Sequence, residues 1–234
     1  MRSCPRLDTI LRMTKYVTAL SIALFSSFTA TFACSCADIT VPTPAPATSY
    51  EEGLKFTSTS QYRKDFAKAV DSAKKFCIKY KKEHPGENNL AIISDIDETL
   101  LDNRPHFRLH PVRNWDVFDK WVQESKAPVL KPTYEFLTWA RQQGFSIFLI
   151  TGRPESDRKP TILNLVRDQV SYDGLYLRDH HGGPPAEEYK TAVRQQIEKM
   201  GFKIVVNIGD QFSDLAGGYS LDCEKLPNKM YFIK

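Results

Sequence analysis

The chain has 234 residues, 41% of them hydrophobic and 26% charged, with 11 Gly and 14 Pro. That composition excludes collagen-like, low-complexity and wholly disordered proteins and suits one domain with a real core. The formal net charge of +4 falls to +1 without residues 1–33, where Arg2, Arg6, Arg12 and Lys15 stand against Asp8; no basic stripe remains, so no nucleic-acid partner is expected.

In chain order, the first element is an address. Tyr16–Ala33 (YVTALSIALFSSFTATFA) is uncharged, lies behind basic residues, is short for a spanning helix and ends in small residues. Residues 1–33 therefore read as a signal peptide cleaved after Ala33, and the protein as secreted or periplasmic. Cleavage there leaves Cys34 terminal, where a bacterial lipid anchor would give the protein its membrane tie, although Thr31-Phe32-Ala33 matches the usual lipobox poorly. An uncleaved anchor is the rival reading. Residues 34–57, containing VPTPAPATSYEEG, read as a Pro/Ala/Thr-rich tether, and residues 58–234 as the folded domain. Beyond Cys4 in the leader stand Cys34, Cys36, Cys77 and Cys223, with no C-x-x-C pair and no zinc spacing. Cys77 and Cys223 either pair or remain separate buried thiols.

Tyr62, Phe66, Val70, Ala73, Phe76, Cys77 and Tyr80 recur every three or four residues, which predicts a long amphipathic helix stopped by His84-Pro85-Gly86. Leu90–Ser94 (LAIIS) predicts a buried parallel strand. Trp115, Phe118, Trp121 and Val122 share a helix face, with both tryptophans expected in the core. A helix over Pro132–Gln143, a strand over Phe145–Ile150, a helix near Glu155–Gln169 and a strand near Leu175–Leu177 follow. Then come a helix over Ala186–Met200, a strand over Lys203–Ile208 and a final strand at Met230–Ile233. The alternation predicts an α/β fold, a Rossmann-like parallel sheet flanked by helices. His180 and His181 in their Gly/Pro surroundings read as a surface loop.

Chemistry collects after the strands, where open parallel sheets bind ligands. The first strand runs into Asp95-Ile96-Asp97-Glu98-Thr99, the second ends at Thr151-Gly152-Arg153, and a later one at Gly209-Asp210 with Asp214 beyond; Lys190 sits early in a helix. Residues two apart on a strand project to one side, so Asp95 and Asp97 are expected to converge. Clustered carboxylates without His or Cys favour a hard cation, Mg²⁺ first. Arg153 reads equally as a salt-bridge partner and is left outside the catalytic set.

The set DIDET, Thr-Gly-Arg, Tyr189-Lys190 and GDQFSD resembles the haloacid dehalogenase superfamily. DIDETLLDNRPHF, Trp115–Pro128, FLITGRPESDR, IGDQFSDL and LPNKMYFIK look like its secreted acid phosphatase group, the bacterial class C acid phosphatases and plant vegetative storage proteins. The resemblance covers about Ser60 to the end. It implies a phosphomonoester hydrolase with Asp95 as nucleophile and Asp97 as acid and base. It places Thr151, Gly152 and Lys190 on the phosphate, and Mg²⁺ on Asp95, the Asp97 backbone carbonyl, Asp210 and Asp214. It also implies a small cap over about residues 103–131 and small phosphomonoester substrates, with Phe107 either facing them or packing the cap. A nucleotide-specific phosphatase, a phosphotransferase and a non-catalytic storage or binding protein of the same fold are the rivals; the oligomeric state stays open.

Overall fold

The computed structural model describes residues 36–43, 49–110, 114–180 and 183–233. The expected signal peptide and Cys34 lie outside them. Among the described residues no helix is long and apolar enough to cross a membrane.

Five parallel strands form one sheet: β1 (Leu90–Ser94), β2 (Ser146–Pro154), β3 (Gly174–Arg178), β4 (Lys203–Gly209) and β5 (Asp222–Lys225), in the order β3-β2-β1-β4-β5. The central strands are apolar on both faces because helices cover both. The pleat sends Leu90 and Ile92 of β1, with Ile147 and Leu149 of β2, to one core. Helices α2 (Ser60–Glu83) and α5 (Lys131–Gln142) fill that core with Phe66, Cys77, Phe136 and Leu137. Ala91, Ile93, Phe148 and Ile150 face the other way and meet Val193 and Ile197 of α7 (Ala186–Lys199). Strand order reverses at β1, so the carboxyl ends of β1, β2 and β4 open onto a switch-point crevice. The expected α/β sheet is thus present.

Three expectations change. The tether does not extend to residue 57: α1 (Tyr50–Phe56) is a helix closed by a Ser49–Glu52 capping box. It packs so tightly on the C-terminal segment that a Cβ on Gly53 would lie 2.2 Å from the Lys229 carbonyl oxygen. Cys223 pairs with Cys36 rather than Cys77, which stays a buried free thiol. Closing a loop of 187 residues, this bond restricts the unfolded chain by about 5 kcal/mol on the loop-entropy model. The last strand is Asp222–Lys225, not Met230–Ile233. It is a short charged edge strand without an apolar run, whereas the MYFI segment is fastened by side-chain bonds.

Candidate active site

Asp95 follows the last residue of β1 and keeps a ladder bond from its N–H to the Ile208 carbonyl (3.0 Å). The chain then turns: Leu100 and Leu101 donate to the Ile96 carbonyl, and Glu98 takes a positive φ of 56°. Asp97 therefore reaches the site from a turn, not from a strand as expected, yet both aspartates line one cavity of about 400 Å³. Asp210 and Asp214, at β4 and α8 (Phe212–Leu215), and Gly152, Arg153 and Lys190 share it. Thr151 is fully buried beneath, its Oγ1 3.5 Å from Asp97 Oδ2.

Asp95, Asp210 and Asp214 each offer an oxygen within 4.8 Å of the others. Lys190 falls on the buried stripe of α7 with Ala186, Val193 and Ile197, which carries its ammonium under the sheet edge. Its Nζ donates to Asp95 Oδ1 (2.5 Å) and Asp214 Oδ1 (2.7 Å). Burial alone would lower the Lys190 pKa, but the two carboxylates outweigh it and raise it. Burial raises Asp95 well above the usual carboxylate range; the Lys190 charge opposes this, and Asp214, Asp210 and Asp97 add to it. Asp210 is pushed up to about 6 by burial and by Asp214. Three buried acids against the ammonium groups of Lys190 and of Lys225, which lies beside Asp210, still leave negative charge over, and an all-oxygen set of this kind fits a hard divalent cation. The Asp97 carboxylate stands outside that set.

Asp97 is held by Arg153, 4% exposed, and by Asn103 Nδ2 (2.8 Å). Burial would raise the Asp97 carboxyl, but Arg153 and Asn103 hold it below its ordinary range. Asn103 is oriented in turn by Trp121 Nε1 on its Oδ1 (2.8 Å). Trp121 is buried as expected; Trp115 is not core but 47% exposed, lining the cavity beside Phe107, Phe118 and Tyr231. Phe107 both packs and lines: it is 5% exposed, stacked on Phe118 at 5.9 Å and edge-on to Tyr231. Within the expected cap region, α3 (Arg104–Leu109) and α4 (Trp115–Gln123) supply this aromatic wall. His180 is exposed, in keeping with a loop, and His181 lies outside the described residues.

The supporting residues carried no periodic signal. Asp210 Oδ2 accepts from Gln211 Nε2 and Asn228 Nδ2, both at 2.6 Å. Asp214 Oδ2 accepts from the Gln211 N–H (2.8 Å), and a Cβ on Gly209 would lie 2.5 Å from that side chain, so only glycine fits before Asp210. Fully buried Arg194 donates to the carbonyls of Asp214, Ala216 and Gly218. The C-terminal segment returns over the site through Tyr231 to Glu98, the Ile233 N–H to Gln211 Oε1, and Ser213 Oγ to the Ile233 carbonyl.

The family model described as HAD superfamily, subfamily IIIB (Acid phosphatase) matches residues 13–234. Acid phosphatase 1 of Solanum lycopersicum is 41% identical over 149 residues, 60% of this chain and 58% of that protein, so the chain spans little more than half the length of that relative. The stem 28 kDa glycoprotein of Glycine max is 31% identical over 198 residues, 81% of this chain and 76% of its own. Vegetative storage protein 1 of Arabidopsis thaliana is 28% identical, over 81% of this chain and 72% of its own. The class C acid phosphatase from Bacillus anthracis shares the fold, with a TM-score of 0.66 at 21% identity, covering 78% of this chain and 85% of that one.

Proposed function

The chain belongs to subfamily IIIB of the HAD superfamily, the acid phosphatases, and from that premise we propose that it is a Mg²⁺-dependent phosphomonoester hydrolase working through an aspartyl phosphate. One observation carries the reading: a buried lysine bound at once to Asp95 and Asp214, with Asp210 alongside, at the mouth of the sheet. Asp95, Asp210, Asp214 and the Asp97 backbone carbonyl would hold Mg²⁺, which when bound supplies positive charge against the phosphate dianion.

The Asp95 carboxylate attacks phosphorus, splitting one hard displacement into two easier ones. Asp97 protonates the departing oxygen and then takes a proton from the water that releases phosphate, help of about 10²–10⁴-fold. The Thr151 hydroxyl and Gly152 N–H hold phosphoryl oxygens, and Lys190 offsets the charge that grows on them. An acid two residues after the nucleophile suits an alkoxide leaving group, which a halide displacement does not need. Small phosphomonoesters outside the cytoplasm are the substrates proposed.

The test is hydrolysis of para-nitrophenyl phosphate by the mature chain with Mg²⁺, lost in EDTA and restored by excess Mg²⁺. Relatives named as storage proteins favour a second reading, which would stand if no turnover occurred with Mg²⁺ at acidic or neutral pH. Nucleoside monophosphates compared with sugar and aryl phosphates separate a nucleotide-specific enzyme from a general one.

A further inference from the structure

We propose that Arg153 is the positioning residue for Asp97, aiming one oxygen, Oδ2, at the leaving group; this rests on the phosphatase reading above. Arg153 lies near the end of β2 with its guanidinium fixed on two sides. Its Nη1 donates to Thr161 Oγ1 (3.0 Å), while Nη2 reaches Asp97 Oδ1 (2.6 Å) and Nε reaches Oδ2 (3.0 Å) and Oδ1 (3.2 Å). A planar guanidinium meets both carboxylate oxygens at once and so stops rotation of the carboxyl group, which a lysine ammonium cannot do.

The two oxygens are then unequal. Oδ1 accepts from Arg153 Nη2 and from Asn103 Nδ2 (2.8 Å), so its lone pairs are taken. Oδ2 accepts from Nε and, at 3.5 Å, from the Thr151 hydroxyl, the group assigned to the phosphate, so it loses that donor when the hydroxyl turns to a phosphoryl oxygen. Oδ2 is therefore the oxygen turned toward the departing group, the one through which the proton passes. In the step, the Asp95 oxygen–phosphorus bond forms and the ester phosphorus–oxygen bond breaks. Its electron pair goes to the alcohol oxygen, which takes the Oδ2 proton, leaving an Asp97 carboxylate paired with Arg153. In the second step water gives a proton to Oδ2, its oxygen bonds to phosphorus, and Asp95 departs as carboxylate.

A residue acting through the acid matters in proportion to how much the leaving group needs a proton. Nitrophenolate departs without one; an alkoxide does not. The ratio kcat/KM reports events only up to departure of the alcohol, so the second step does not blur the comparison. Arg153→Lys should lower kcat/KM for glycerol 2-phosphate by about 100-fold and for para-nitrophenyl phosphate by less than about five-fold. Thr161→Val, which frees the far edge of the guanidinium, should produce the same asymmetry in smaller measure. It decides alone if Arg153→Lys fails to melt cooperatively. Equal losses on both esters, in whichever variant folds, would overturn the proposal. Wild-type protein that turns over neither ester would instead remove the phosphatase reading, and this role with it.

Discussion

The floor of the cavity is polar, buried and cross-linked, whereas its wall is aromatic and partly open. Lys190 and Asp214 on the floor are 3% and 5% exposed, while Trp115 on the wall is 47% exposed. Floor groups hold one another through charged hydrogen bonds, so removing one leaves others buried without a partner. Wall groups meet through ring contacts, such as Trp115 edge-on to Phe118 at 6.2 Å, and contribute mainly area. In the proposed reaction the floor meets the phosphoryl group common to every substrate, and the wall meets the part that varies. Floor changes should then act on kcat and metal affinity, and wall changes on KM and selectivity.

The largest effect expected is at Asp95. Asp95→Asn keeps the shape and removes the nucleophile, and kcat with saturating Mg²⁺ should drop below about one-thousandth of wild type. Normal turnover by that variant would take the nucleophile off the floor altogether. A smaller effect is expected one layer out. Asn228→Ala removes one of the two side-chain amides on Asp210 Oδ2. The Mg²⁺ concentration giving half-maximal activity should rise about ten-fold, as partners of metal-binding carboxylates typically cost when lost. An unchanged Mg²⁺ titration would show that the C-terminal segment braces the fold but not the floor.

The same division explains what the sequence disclosed. The floor was legible because strand ends are marked by apolar runs, and the polar residues that follow them have no structural reason to be acidic: LAIIS before Asp95, KIVVNI before Gly209-Asp210. Lys190 was legible only by its place among the other motifs, early in the helix after Thr151-Gly152-Arg153 and before Gly209-Asp210. Asn103, Arg194 and Asn228 were not, because each works through bonds to residues 6, 20 and 18 positions away, which no local period encodes. Arg153 was seen but not assigned, since one arginine looks the same in sequence whether it meets solvent or Asp97. The wall was misread at Trp115, where a helix-face pattern cannot distinguish a packed core from a cavity lining. β5 was missed because DCEK owes its place to pairing with β4 and to the Cys36 bond rather than to hydrophobicity.

On the wall, Trp115→Ala should raise KM for an aryl phosphate about three- to ten-fold, the worth of one aromatic contact, with kcat nearly unchanged. A matching fall in kcat across all substrates would break the division, because it would make the wall part of the machinery that meets phosphorus.

The smallest effect is a control outside the cavity, on β5. Glu224 is a half-buried carboxyl without the cations that the floor acids have; desolvation pushes it up to about 7, opposed by a hydrogen bond with Ser72 and helped by Asp222. The unfolded chain would release this proton near the ordinary value of 4.5. Between those two values the folded chain binds more protons than the unfolded one, so stability falls as pH rises through that window. Glutamine keeps the shape and cannot ionise. Glu224→Gln should therefore melt at a higher temperature than wild type at about pH 8 and at the same temperature near pH 4. Turnover at the cavity, measured well below the melting range, should not move. A change in kcat would mean that the charge state of β5 reaches Asp210 through the β4–β5 pairing, and the floor would then extend further than its own hydrogen bonds.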